Sequence, residues 1–119
     1  MATLVYHARG TGYYPFANAM EGGFRDQRGA PLCTLQDFLQ GRSNYVSVAM
    51  DKNLRIPYGT KLRIPEIERK YGRLIEFRVV DTGSAFTGKG YTRIDICTAD
   101  RQASLDSTIN GPLTLQFTG

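Results

Sequence analysis

Apolar and polar residues alternate along several short stretches of the chain, and this period of two predicts β-strands. In the stretch 93–97, Ile94 and Ile96 share one face of the predicted strand, and Asp95 points to the other. Further strands are predicted at 3–8, 45–51, 61–64, 73–81 and 112–117. Six short, closely spaced strands in a small chain indicate a mainly β domain that closes into a small barrel.

Helical signals are few and short. A Thr34 N-cap and a Gly41 stop predict a helix over 34–41. Shorter helical segments are predicted at 65–71 and at 98–103, the latter capped by Thr98. The stretch 9–15, rich in glycine and tyrosine, predicts a turn, and 16–31 predicts a long loop. We therefore expect the strands to be accompanied by one to three short helices.

Length and composition indicate a single domain over 1–119. The net charge is +4, from 15 basic and 11 acidic residues, and the basic residues are dispersed. This pattern gives only weak support to a nucleic-acid partner, and it fits an anionic polymer such as a bacterial cell wall equally well. No apolar run is long enough to span a bilayer, and the N-terminus lacks the features of a secretion signal. We expect no membrane span, and the route of export stays open.

The chain has only two cysteines, Cys33 and Cys97, which lie far apart in the sequence. There is no Cys-x-x-Cys pair, and His7 is the single histidine, so we expect neither a metal site nor a cofactor. The two cysteines could form one disulfide, which would favour an exported protein. They could equally be two buried thiols.

The stretch 79–96 organises the chain as a strand, a glycine-rich loop and a second strand. The first strand ends at Asp81. The loop reverses the chain, so the second strand is expected to place another carboxylate, Asp95, close to Asp81. An earlier predicted strand ends in a third carboxylate, Asp51. Two acids at the mouth of a small sheet form a candidate site. The alternative is an ordinary turn aspartate and a solvent-facing strand aspartate.

These motifs resemble a known family. The segments VAMD at 48–51, IPYGTKL at 56–62, VDTGSAFTG at 80–88 and RIDI at 93–96 look like the three-aspartate (3D) domain of the lytic transglycosylase A type. The similarity covers 45–97 closely, and the segment 11–14 and the last predicted strand more loosely. It implies a double-psi β-barrel, akin to RlpA-like and expansin-type barrels, and therefore a six-stranded barrel.

The resemblance also implies a chemistry. Enzymes of this family cleave the β-1,4 bond between N-acetylmuramic acid and N-acetylglucosamine in peptidoglycan and leave a 1,6-anhydro ring. The third aspartate of the motif, which falls on Asp95, is the catalytic acid and then the base, and the other two fall on Asp81 and Asp51. We expect Asp81 to raise the pKa of Asp95 by like-charge repulsion, and Asp51 to orient the site through hydrogen bonds.

Other residues are candidates for contacts with the glycan or its peptide stems. They are Tyr13, Tyr14, Glu21, Thr60, Lys61, Thr82, Gly83, Lys89, Tyr91 and Arg93. Two departures from the family are expected: the loop between Asp81 and Asp95 is longer, with Ser84 in place of a frequent glycine, and we expect no counterpart of the second domain that forms the other wall of the groove in the larger transglycosylase. These departures predict a shallow groove and slow turnover.

Two other functions fit the same residues. One is a non-catalytic barrel that binds cell-wall polysaccharide, as expansin-like proteins do, and the other is a secreted inhibitor or interaction module. The three aspartates favour the enzyme, because an inhibitor has no need for them in one groove. We expect a monomer whose partner is the peptidoglycan glycan strand, acting in the periplasm or cell wall.

Overall fold

Six strands close into a barrel in the order β1-β5-β2-β4-β3-β6. The computed structural model of the chain describes residues 3–14, 28–83, 88 and 90–118. The strands are β1 (Thr3–Tyr13), β2 (Val46–Asp51), β3 (Thr60–Arg63), β4 (Phe77–Gly83), β5 (Arg93–Cys97) and β6 (Pro112–Thr118). The barrel is mixed, because β1 pairs with β5 and β2 pairs with β4 in parallel, whereas the other pairs are antiparallel. The predicted mainly β, six-stranded barrel is confirmed.

Three short α-helices accompany the strands, as predicted. They are α1 (Leu35–Leu39), α2 (Pro65–Tyr71) and α3 (Arg101–Ser104). Thr34 caps α1 in the predicted capping box with Asp37. The predicted cap of α3 is wrong: Asp100 is the N-cap, and the Thr98 hydroxyl instead donates to the Tyr13 carbonyl at 2.8 Å. None of the described helices is long and apolar enough to cross a bilayer.

Alternating side chains of the strands fill the barrel. The buried core includes Val46, Val48, Met50, Leu62, Phe77, Val79, Ile94, Ile96, Leu113, Leu115 and Phe117. The residues between them point to the outer face, as the period of two requires. On β5 this arrangement places Ile94 and Ile96 inside, fully buried, and directs Asp95 outward.

The first strand is longer than the sequence predicts. β1 continues through 9–13, the stretch expected to be a turn, and pairs there with β5. Its glycines serve close packing rather than turning: a Cβ on Gly10 would lie 2.2 Å from the Ile109 carbonyl oxygen, and one on Gly12 would lie 2.5 Å from that of Ser104. Glycine within a strand is typical of such a close backbone approach.

Both cysteines are free thiols in the structure, so the disulfide alternative is not the one observed. Cys97 is fully buried on β5, and Cys33 is partly exposed. The Cys33 N–H donates to the Ser47 hydroxyl at 2.9 Å. Burial raises the pKa of the Cys97 thiol to about 12. Cys97 therefore stays protonated and unreactive at neutral pH.

We predict that Gly12→Ala destabilises the barrel. The added Cβ would meet the carbonyl oxygen and the Cα of Ser104 at 2.5 and 2.7 Å, and backbone atoms cannot rotate away. We expect the free energy of unfolding to fall by about 1–3 kcal/mol or more, as in other overpacked sites. Chemical denaturation measures it, with Val5→Ala on the exposed face of β1 as the control. A Gly12→Ala protein as stable as this control would contradict the packing.

Candidate functional site

A transverse row of side chains crosses four adjacent strands of the barrel. Ala49 on β2 pairs with Asp95 on β5 at one side and with Asp81 on β4 at the other. Thr11 on β1 extends the row, because it pairs with Asp95. Cross-strand neighbours point to the same face of a sheet. Asp81 and Asp95 therefore face the same side of the barrel, about 9–10 Å apart between Cα atoms, which is two strand spacings.

A bulge allows Asp81 to join this row. The β2–β4 register shifts between Val48 and Ala49, so that Val48 pairs with Val79 whereas Ala49 pairs with Asp81. The extra residue on β4 is Val80, which is buried. Without the bulge, Val80 would stand beside Ala49 and Asp81 would lie one position farther along. Such bulges commonly redirect a side chain near a site.

Asp95 is half-buried and has two polar neighbours. The Thr11 hydroxyl donates to its Oδ1, and the Arg93 Nε lies 3.7 Å from the same oxygen. Burial raises the pKa of Asp95, while the Thr11 hydrogen bond and the Arg93 charge act in the opposite direction. The pKa is raised as expected, but the expected cause is wrong: the main cause is burial and not repulsion by Asp81.

A cavity of about 320 Å³ lies beside the two polar neighbours of the Asp95 carboxyl. Its lining consists of Arg9, Thr11, Thr92 and Arg93. Both polar neighbours of the Asp95 carboxyl, the Thr11 hydroxyl and the Arg93 guanidinium, thus belong to residues that line this cavity. A half-buried acid beside a small cavity with basic and hydroxyl groups has the features of a candidate active site.

Tyr13 packs inward beside the candidate site rather than presenting a surface for sugar stacking. It pairs with Cys97 across β1 and β5. Burial, followed by the neighbouring Cys97 thiol and the Asp81 charge, raises the pKa of Tyr13 well above its usual value. Its hydroxyl is buried, and none of the described residues satisfies it in hydrogen-bond geometry. Tyr13 is therefore buried within electrostatic reach of Asp81 and Asp95.

Asp51 has a structural environment. It is 3% exposed at the end of β2, and its Oδ2 accepts hydrogen bonds from the Gly88 and Gly90 amides at 2.9 and 3.0 Å. Its Oδ1 accepts from the Asn53 amide at 2.9 Å. Asp51 shares the outer face of β2 with Ala49, two residues away. Its carboxylate anchors the end of the glycine-rich loop, consistent with the orienting role expected for it.

The remaining candidates lie away from the two acids, and two of them, Thr60 and Tyr91, line a second cavity. Lys61 is exposed, and its Nζ lies 3.9 Å from Oε1 of Glu76. It lines a separate cavity of about 430 Å³. The Thr60 hydroxyl donates to the Pro57 carbonyl at 2.6 Å. Tyr91 stacks on Tyr6 at a ring-centroid distance of 3.9 Å. The structure therefore brings Arg93 and Tyr13 to the two acids, but not Lys61 or Thr60.

Several predicted residues cannot be placed by their side chains. Glu21 and Lys89 lie outside the described residues. Thr82 and Gly83 belong to β4 as backbone, where they pair with Met50 and Asp51. Tyr14 directly follows β1 and is partly buried.

Three residues of the site were not among those predicted, Arg9, Thr11 and Thr92. Arg9 and Thr11 lie on the part of β1 that was predicted as a turn, and Thr92 directly precedes β5. Arg9, Thr11 and Tyr13 alternate with Gly10 and Gly12, and a strand period was therefore present in the sequence. The prediction missed this strand period because glycine usually indicates a turn.

Comparison with known proteins adds no identification. The sequence matches no protein-family model, and no curated protein matches it at a significant level.

We predict that Asp51→Ala loosens the glycine-rich loop. The substitution leaves three backbone amides without their acceptor, and each such loss costs about 1–3 kcal/mol when the group stays buried. Hydrogen exchange at the Gly88 and Gly90 amides should become faster, and the free energy of unfolding should fall. The control is Asp100→Ala, which removes only the cap of α3. Unchanged exchange at Gly88 and Gly90 would rule out the anchoring role.

Proposed function

We propose that this barrel is a peptidoglycan lytic transglycosylase that uses Asp95 first as general acid and then as general base. Its substrate is the glycan strand, cut at the β-1,4 bond between N-acetylmuramic acid and N-acetylglucosamine. It acts as a monomer in the periplasm or cell wall. The proposal combines the resemblance of 45–97 to the three-aspartate domain with the geometry around Asp95.

One observation carries the proposal: the Asp95 carboxyl is half-buried, has a raised pKa, and contacts Thr11 and Arg93, which line a cavity. A glycosidic oxygen leaves readily only after it is protonated, so the catalyst must hold a proton near neutral pH. Burial raises the pKa of Asp95, which is the direction that such a catalyst needs. Thr11 and Arg93 hold the carboxyl in place and stabilise its ionised form after the proton has left.

The reaction needs one carboxyl group and no water. Protonated Asp95 gives its proton to the glycosidic oxygen, and the bond from C1 of the muramic acid to this oxygen breaks. The C6 hydroxyl of the same sugar forms a bond to C1 and closes the anhydro ring. Its proton passes to the Asp95 carboxylate, which restores the acid. Hydrolytic glycosidases need a second carboxylate as nucleophile or base, whereas this route uses the hydroxyl of the substrate itself.

Asp81 has a supporting role in this scheme. It faces the same side as Asp95, two strands away, and is therefore placed to stabilise positive charge that develops on the sugar ring. A spacing of about 9–10 Å between the Cα atoms leaves room for a sugar between the two carboxyl groups. The two acids thus have different tasks, proton transfer for Asp95 and electrostatic stabilisation for Asp81.

A second candidate function is binding of cell-wall polysaccharide without cleavage. The observation in its favour is an aromatic cavity of about 350 Å³ on the barrel, lined in part by Tyr6, Tyr91 and Phe117. The rings of Tyr6 and Tyr91 are stacked, and Phe117 meets both edge-on. Aromatic side chains of this kind suit contact with the apolar faces of sugars. Binding without release of anhydro products would favour this function.

We predict that Asp95→Asn abolishes the release of anhydro-muropeptides from purified sacculi while the barrel stays folded. Loss of a general acid lowers rates by about a hundredfold to ten-thousandfold. Mass spectrometry detects the product, which is lighter than a hydrolytic product by one water. Because burial disfavours the charged form, the neutral amide should not lower the free energy of unfolding at neutral pH. Asp100→Asn, a conservative change at an exposed cap, should retain full activity. Wild-type rates in Asp95→Asn would refute the assignment.

The pH dependence should follow the protonation of Asp95. Activity requires the acid form, so kcat/KM should fall as the pH rises through the raised pKa of this group. Thr11→Val removes a hydrogen bond that favours the charged form, which should raise the pKa further and move the falling limb to higher pH. A pH–rate profile of both proteins measures the shift. If kcat/KM falls at the same pH in Thr11→Val as in the wild type, another group controls the rate.

A further inference from the structure

Two cavities adjoin each other on the side of the barrel away from Asp95. The first, of about 430 Å³, is lined mainly by residues of α1, β3 and the segment 74–76, and the second, of about 380 Å³, by residues of α2 and the segment 72–74. Leu74 lines both cavities and therefore forms the ridge between them. In the closed order of six strands β3 is three places from β5, which puts it on the opposite side of the barrel. We call the two cavities and their ridge the Leu74 groove.

The segment around Leu74 holds this side chain out in solvent. Leu74 is 70% exposed, whereas Ile75 beside it is 1% exposed and packs in the core. The Ile75 N–H donates to Oε2 of Glu68 at 3.0 Å, and the Arg73 N–H donates to the Glu68 carbonyl oxygen at 3.2 Å. The backbone is therefore fixed on both sides of Leu74, and its side chain cannot turn inward without breaking these bonds.

Apolar side chains form the floor of the first cavity. Phe38, Leu62 and Ile75 line it next to Leu74. The Arg73 guanidinium lies over the Phe38 ring, with its Cζ 5.1 Å from the ring centroid, and so joins α1 to the ridge. Exposed apolar surface that continues from a ridge into a cavity is typical of an interaction site.

The rim of the groove is basic. Four basic side chains and two carboxylates line it, those of Lys61, Arg63, Arg69, Arg73, Glu68 and Glu76. Both carboxylates are already engaged, Glu68 by two hydrogen bonds from Arg63 and Glu76 by an ion pair with Arg78. Within the described ranges, Arg69 and Arg73 form no ion pair with a carboxylate. The groove therefore carries an excess of positive charge around an apolar floor.

We infer that the Leu74 groove binds an acidic peptide segment of a partner protein, with one large apolar side chain packed against Phe38 and Leu74. Carboxylates on either side of that side chain would face Lys61 in the first cavity and Arg69 and Arg73 in the second. The apolar floor favours a peptide over a phosphate polymer, because a phosphate polymer has no apolar side chain to bury there.

The two kinds of contact have different tasks in this groove. The exposed basic side chains orient the segment and speed its association, whereas burial of the apolar side chain supplies most of the affinity. Binding needs none of the three aspartates and no catalysis. It is therefore independent of the proposed reaction.

Titration of the full chain with a synthetic peptide, followed by NMR, tests the groove. The probe is a capped pentapeptide with phenylalanine at its centre and two acidic residues on each side. We expect Leu74→Ser to weaken binding about tenfold, through loss of apolar contact, and Lys61→Gln to weaken it about threefold, through loss of one exposed ion pair. The matched controls are Leu105→Ser, at a leucine that is 68% exposed beside α3, and Arg101→Gln on α3, and both should bind as the wild type does. Equal affinity of Leu74→Ser and wild type would overturn the inference.

Three further probes define the occupant. The same peptide with alanine at its centre should bind about tenfold more weakly, and one with amides in place of its acids should also bind more weakly. Equal binding of either peptide would overturn the inference. Inorganic polyphosphate that binds more tightly than the acidic peptide, with no effect of Leu74→Ser, would show a polyanion site instead.

The groove and the proposed reaction are separated by Asp95→Asn, which should bind the acidic peptide as the wild type does. If wild type releases no anhydro product but binds the peptide through Leu74, the reaction fails and the groove stands. If wild type releases the product but does not bind the peptide at millimolar concentration, the groove is overturned and the reaction stands.

Discussion

The direction of the Asp95 side chain depends on the register of β5, which is held by a neighbouring strand on each side. It lies between β1, to which it is parallel, and β2, to which it is antiparallel. Ile94 and Ile96 fix its register, because a slip by one residue would move both side chains out of the core and turn the outer face inward. The direction of Asp95 is therefore set by hydrophobic burial on the opposite face of its own strand.

The three aspartates of the motif occupy three different environments on one face of the barrel. Asp51 is almost fully buried, and backbone amides surround its two oxygens, which makes it a support for the glycine-rich loop. Asp95 is half-buried beside a cavity, and Asp81 enters the same row through a bulge. Residues of identical chemistry thus differ in what they can do, because the number of donors and the degree of burial differ at each position.

Asp95 and its neighbours show how opposing effects are balanced at the candidate site. Burial favours the neutral carboxyl, and the Thr11 hydroxyl and the Arg93 guanidinium favour the ionised one. In the proposed reaction Asp95 gives and then recovers a proton, for which both of its forms must be accessible.

The sequence by itself determined the strands whose apolar residues alternate, the capped helix α1 and the facing of Asp95, because these features arise from neighbours close along the chain. It also singled out the three aspartates, through their resemblance to a known family. Only the tertiary structure decided that 9–13 is a strand, since the reason for its glycines is the backbone at Ile109 and Ser104, about a hundred residues away. The pairing of Arg9 with Arg93, the thiol state of the cysteines and the anchoring role of Asp51 likewise depend on contacts between distant segments, and no local pattern encodes which segments meet.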